Sequence, residues 1–208
     1  MKTKILEHRR PRKTCRQKEN GLFRKSFRTV AMVAVVSATL MQYATLVSEA
    51  SSLTISGSEN GQSFRLSECP SGQVLVGVAA KQGLYIDSVA PLCSAVSNSG
   101  VWSGPVSQRS TIGGPGGNIK VAQCNENDAI VGMSGKIGRW VTALTVRCRK
   151  LTSPTTVSST SSIYTVSAGG ATYGTIAGAQ TCSAHRPVVA LSGRYTLYVN
   201  QLTMTCAD

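Results

Sequence analysis

The chain has 208 residues, enough for one sizeable core or two small ones, and a formal charge of +13 at neutral pH. That charge is uneven: residues 1–50 hold eleven Lys/Arg against three acids (+8), and residues 51–208 hold eleven against six (+5). Most of the basicity therefore belongs to the leader, and nucleic acid is not an expected partner.

The leader runs from a basic segment, KTKILEHRRPRKTCRQKENGLFRKSFR, into an apolar one, TVAMVAVVSATLMQYATLV, with small residues at Ser48 and Ala50. That order is the layout of a secretory signal peptide cut after Ala50, and 1–50 is read as leader. An uncleaved signal anchor is the alternative, since the apolar run is long enough to cross a bilayer. In both cases residues 51–208 are expected outside the cytoplasm. They are either secreted or held at a membrane only by the uncut leader.

The chain then repeats itself three times, at about 52–97, 98–150 and 151–208. Counted from the first cysteine of each copy, a second follows at offset 24 in Cys69/Cys93, Cys124/Cys148 and Cys182/Cys206. Offset 7 is Val76, Val131 and Val189, and offset 12 is Lys81, Lys136 and Arg194. Offset 16 is aromatic, at Tyr85, Trp140 and Tyr198. A glycine stands eight residues before each first cysteine, at Gly61, Gly116 and Gly174. Coincidence at this many offsets marks an internal repeat.

Within each copy the segments read as short strands: SFRLSE, QVLVGVAA and YIDSVAPLC, then NIKVAQC, AIVGMSG and WVTALTVRC, then ATYGTIAGAQ, PVVALSG and LYVNQLTMTC. In LTVRC, Leu144, Val146 and Cys148 point one way while Thr145 and Arg147 point the other, as in a strand with one buried face. Residues 94–112 are expected to supply the first strand of the second unit, with Trp102 partly buried. Residues 151–167 are expected to be a linker or loop, with a strand over 162–166. No amphipathic helix is expected after the leader.

Six cysteines in an exported domain read as disulfides, and Cys15 lies in the leader. Threefold symmetry leaves two arrangements, within repeats or across their boundaries. The constant within-repeat separation favours Cys69–Cys93, Cys124–Cys148 and Cys182–Cys206, each closing a loop worth about 3.5 kcal/mol in the chain-entropy model. CxxC spacing is absent and His185 is the one histidine after the leader, so no metal or cofactor is expected.

Three units of about four strands close naturally as a β-prism or a β-trefoil, and the trefoil repeat is the shorter. The expectation is an all-β fold, a prism of three pseudo-symmetric four-stranded Greek-key repeats stapled by disulfides, forming one domain over 51–208. No catalytic residue is expected. His185 has no acid near it in sequence, and a two-carboxylate glycosidase would need Asp87 with Glu126 or Asp128, which read as solvated residues of the turn CNENDA.

GGPGG at 113–117, followed by a strand, a cysteine and VGMSGKIGRWVTALTVRC, resembles the β-prism repeat of jacalin-like lectins. The cysteine-bearing form is similar to vitelline membrane outer layer protein I, and the likeness covers about 54–208. The resemblance implies a sugar held by a G-x-x-x-D loop facing a glycine-rich loop of the following unit. A carboxylate accepts hydrogen bonds from neighbouring sugar hydroxyls, and a loop without side chains lets the ring approach the backbone.

The first copy keeps that motif as Gly83-Leu84-Tyr85-Ile86-Asp87. The second reads Gly138-Arg139-Trp140-Val141-Thr142 and the third Thr196-Leu197-Tyr198-Val199-Asn200. The implied carbohydrate site is Gly83, Leu84, Tyr85, Asp87, Gly116 and Gly117. Each piece also has a plainer reading: Asp87 as a turn residue, the recurring aromatic as packing, and the recurring cation as a solvated loop residue. Two functions follow. One is a secreted, lectin-like protein binding glycans or polysaccharide, with the cations suiting an acidic one. The other is a structural, inhibitory or protein-interaction module of the outer-layer type, for which an oligomer is an option.

Overall fold

The computed structural model describes residues 52–208; the leader, its cleavage site and Cys15 lie outside the described residues. Fourteen strands follow in chain order: β1 (Ser52–Ser56), β2 (Gln62–Glu68), β3 (Gln73–Gln82), β4 (Ile86–Ala95), β5 (Ser107–Gln108), β6 (Ile112–Gly113) and β7 (Asn118–Gln123). Then come β8 (Asp128–Ile137), β9 (Val141–Ser153), β10 (Thr156–Val157), β11 (Tyr164–Gly170), β12 (Thr175–Thr181), β13 (Val188–Tyr195) and β14 (Val199–Cys206). The helical structure among the described residues is one 3-10 turn, Ser183–His185.

The strands form three antiparallel sheets. The first runs β1-β14-β13-β2; the second runs β7-β3-β4 with β5 and β6 sharing the outer edge; the third runs β12-β8-β9 with β10 and β11 there. In the second and third, a central hairpin is flanked by the two strands that come next in sequence, the spatial order of a Greek key. The first sheet is completed differently: the last hairpin, β13–β14, takes its flanking strands from the start of the chain. Each sheet thus combines the hairpin of one sequence repeat with the outer strands of the next.

That arrangement explains the cysteines. Cys69 follows β2 in the first sheet and bonds Cys93 of β4 in the second. Cys124 follows β7 and bonds Cys148 of β9 in the third, and Cys182 follows β12 and bonds Cys206 of β14 in the first. The Cα–Cα separations are 5.6, 5.7 and 5.8 Å, within the range for a disulfide. Every within-repeat bond is therefore a bolt between two sheets.

The other recurring positions have equally local causes. Val76, Val131 and Val189 each sit at a bulge in the hairpin, where the register skips a residue opposite Cys93, Cys148 and Cys206. The freed carbonyl of each accepts the N–H of Cys124, Cys182 and Cys69 respectively, at 2.8–2.9 Å. The glycine series needs correction at one member. Strand register aligns Gly61 and Gly174 with Gly117, not Gly116, because β2 and β12 carry an extra bulged residue and β7 does not. All three have positive φ (101°, 104° and 78°), the left-handed region that favours glycine.

The inner faces of the sheets bury Ile55, Leu75, Ile86, Ile130, Met133, Leu144, Leu191, Leu202 and Met204 together. A smaller cluster on the outer side, with Val74, Ala90, Leu92 and Leu151, is covered by Val96, Trp102 and Val157. Residues 94–112 do not open the second unit's own sheet. They cap the outer face of β3–β4, with Trp102 donating from Nε1 to the Asp128 carbonyl at 3.2 Å, and then supply β5 and β6 to the same sheet. The expected loop at 151–167 is largely structured too: β9 runs on to Ser153 and turns back into β10, and the expected strand at 162–166 is β11. Asp128 is not a solvated turn residue either, since its Oδ2 accepts the Tyr164 hydroxyl at 2.7 Å.

Candidate functional site

The three hairpin tips meet at one end of the prism. Each closes through the same hydrogen bond, from Gly83 N–H to the Tyr85 carbonyl (3.0 Å), Gly138 to Trp140 (2.9 Å) and Thr196 to Tyr198 (2.9 Å). The offset-16 aromatics therefore point to a common centre. Ring centroids are 4.7 Å apart for Tyr85–Trp140, 4.7 Å for Tyr85–Tyr198 and 5.1 Å for Trp140–Tyr198, all tilted or edge-on, the favoured geometries. Packing is what this recurrence encodes. The Tyr85 ring is taken up by its aromatic neighbours.

Two residues past each aromatic, the hairpin bulges again. The ladder passes from Lys81↔Ser88 to Gln82↔Ile86, from Lys136↔Ala143 to Ile137↔Val141 and from Arg194↔Gln201 to Tyr195↔Val199. The unpaired residues are Asp87, Thr142 and Asn200, which are the buried polar positions of the tips. A bulge re-aims a side chain and is common beside functional sites. Here it turns each side chain toward a facing loop: 113–117 for Asp87, 170–174 for Thr142 and 56–61 for Asn200. The loops are held alike, by Gly114 N–H to the Asp87 carbonyl (2.8 Å), Ala171 to Thr142 (2.7 Å) and Gly57 to Asn200 (2.9 Å).

The offset-12 cations clasp these loops as well. Lys81 donates to the Pro115 carbonyl at 3.4 Å, Lys136 to that of Thr172, and Arg194 to that of Gly61 at 3.2 Å.

The copies differ in the bulged side chain. Thr142 Oγ1 donates to the Tyr173 carbonyl at 2.9 Å, and Asn200 Nδ2 donates to Ser58 Oγ at 2.9 Å. Both tie their own loop down. Asp87 has no hydrogen to donate and instead faces two glycines. A Cβ at Gly116 would stand 2.7 Å from its Oδ1, and one at Gly117 2.6 Å from its Oδ2. Burial raises the Asp87 carboxyl above the ordinary aspartate value, opposed by its own backbone N–H and by the Lys81 charge. Leu84 at the tip is exposed, and its carbonyl accepts the Tyr173 hydroxyl at 2.8 Å.

The structure thus brings Gly83, Leu84, Tyr85, Asp87, Gly116 and Gly117 to one tip, with Gly83 at the margin: its Cβ position is 4.0 Å from Asp87 Oδ2. Sequence reasoning missed the neighbours from other sheets. Tyr173 reaches from the third sheet to within 6.0 Å of the Tyr85 ring. A Cβ at Gly114 would stand 2.1 Å from the Leu197 carbonyl, so the glycine loop is wedged against the first sheet's tip. Only the register, which sets Tyr173 opposite Gly116 in the aligned loops, would have exposed the first of these.

With the fold described, its likeness to solved structures is direct. Malaysian banana lectin is 15% identical over 76% of this chain and 99% of its own, with a TM-score of 0.53. A mannose-binding jacalin-related lectin from Ananas comosus is 16% identical over 76% and 98%, with a TM-score of 0.50. Single-chain recombinant jacalin is 12% identical over 76% and 95%, with a TM-score of 0.50. The fold is the β-prism of jacalin-related lectins. No protein-family model matches the chain, and no curated protein matches it.

Proposed function

We propose that this chain is an exported carbohydrate-binding protein without catalytic activity, with one saccharide site centred on Asp87. The carrying observation is the difference between three equivalent bulges. Thr142 and Asn200 bind their own loops, while Asp87 presents a carboxylate to a loop with no side chain at Gly116 or Gly117. Two adjacent sugar hydroxyls suit such an acceptor pair, and the glycines admit the ring against the backbone. Because Lys81, Lys136 and Arg194 clasp loop carbonyls, the reading favours a neutral glycan over an acidic one. The solved neighbours support a lectin-like role through their fold. Three inter-sheet disulfides support export.

A glycan array with wild type and Asp87→Asn tests this reading. Binding by wild type that disappears in a folded Asp87→Asn variant supports it; a folded wild type that binds no glycan overturns it.

A second reading, a protein-interaction module, is favoured by the apolar rim of the same tip. Leu84 and Leu197 are 69% and 71% exposed beside a 45% exposed Tyr173. It predicts self-association or capture of a protein partner that Leu84→Ser with Leu197→Ser abolishes.

A further inference from the structure

The prism departs from threefold symmetry at one outer edge. In the first sheet β1 runs in continuous register for five residues against β14, and in the third β11 runs for seven against β9 with one bulge at Ala168. In the second sheet that edge is split into β5 and β6, two residues each. One difference lies in β4. Pro91 occupies the position held by Val146 and Met204 in the other copies. Its carbonyl accepts Arg109 N–H at 2.9 Å. A residue's N–H and carbonyl point to the same side of an antiparallel strand, so the donor that proline lacks is missing on this edge. Three residues, 109–111, face two, Ala90 and Pro91, on β4, as 166–168 face Thr145 and Val146 in the third sheet; beside Pro91 the ladder lapses there, whereas β11 continues through its bulge.

Where the edge breaks, a cavity of about 520 Å3 opens in the seam between β2 of the first sheet and residues 109–113, a size typical of small-molecule sites. Phe64 and Tyr195, with ring centroids 6.3 Å apart, supply its apolar part. Among the described residues, Glu68 and Arg109 line it with one charge of each sign, alongside the hydroxyls of Ser67 and Thr111. Donors, acceptors and an aromatic surface match a neutral pyranose, whose hydroxyls both donate and accept and whose ring carries an apolar C–H face. Gly113 lines the cavity and begins the loop whose Gly116 and Gly117 face Asp87. Four peptide units separate Gly113 from Gly117, a span of at most about 14 Å.

We propose that this seam cavity is a second saccharide subsite, taking a neutral sugar unit of an oligosaccharide whose terminal unit is held at Asp87. It rests on the carbohydrate-binding reading above.

The test uses the full-length protein on an array of mono- to pentasaccharides, comparing wild type with Arg109→Ala and Thr111→Trp. Both positions are exposed, so the fold is retained, and circular dichroism checks it. The expected result is about tenfold weaker binding of tri- and longer saccharides by both variants, with monosaccharide binding unchanged. If both variants match wild type on long glycans, or weaken mono- and oligosaccharides equally, the subsite is overturned while the Asp87 site stands. If folded wild type binds no glycan, both are overturned.

Discussion

Asp87 of β4 and Gly117, in the loop just before β7 of the same sheet, meet at its tip, so that a single methyl group at 117 would stand 2.6 Å from Asp87 Oδ2. The bulge after the hairpin turn aims the carboxylate, and the positive φ of Gly117 (78°) bends the loop around it. Acid and loop form one unit, and they fail in distinguishable ways.

Gly117→Ala puts a Cβ in the left-handed region and 2.7 Å from the Gln82 backbone nitrogen. It should cost at least about 1–2 kcal/mol in denaturant unfolding and abolish sugar binding. Gly116→Ala meets only the carboxylate, at 2.7 Å and 3.5 Å. It should therefore weaken binding with a smaller loss of stability. Equal stability losses for the two would contradict this division.

Asp87 should lower stability at neutral pH. Burial raises its carboxyl pKa in the folded state, so the folded protein binds the proton more tightly than the unfolded chain. Stability then falls as pH rises from the unfolded value through the folded one. Asp87→Asn, the residue type present at Asn200, should raise the melting temperature at pH 7 and flatten that part of the pH profile. A melting temperature several degrees lower at pH 7 would show that the carboxylate is a structural anchor.

Much of this was legible in the sequence because the repeats share it. The strands, the prism and the pairing of Cys69 with Cys93 followed from constant offsets. The sheets did not follow, because the repeat in sequence is a hairpin with the strands before it, whereas each sheet takes the strands after it. The reading of Asp87 as a sugar ligand rested on a motif; the bulge that aims it emerges only from the register. Tyr173 was invisible for a related reason, since it belongs to one copy and packs on the tip of another. Pro91 stood in plain view as a proline within a strand, but its consequence depends on what lies across the edge.

Because each disulfide joins two sheets, removing one should loosen the prism as a whole. The double variant Cys124→Ala with Cys148→Ala should lose about 2–5 kcal/mol while unfolding in one transition. A first transition confined to the third sheet in hydrogen exchange would instead show the sheets to be independent.

Tyr164 offers an alkaline probe. Burial pushes its phenol up to about 12; the Asn125 N–H opposes this and the Asp128 carboxylate adds to it. A raised folded pKa means stability present below the ordinary tyrosine value of about 10 and lost as pH rises toward 12. Tyr164→Phe removes hydrogen bonds of 2.7 Å to both partners. It should cost about 1–2 kcal/mol at pH 7, a difference that shrinks above pH 10. A constant difference across that range would contradict the assignment.

The most direct test of the central claim is a calorimetric titration of wild type and Asp87→Asn with the strongest array glycan. Saturable binding of about one glycan per chain, lost in an Asp87→Asn protein at least as stable as wild type, is the predicted result. Undiminished binding by Asp87→Asn would contradict it.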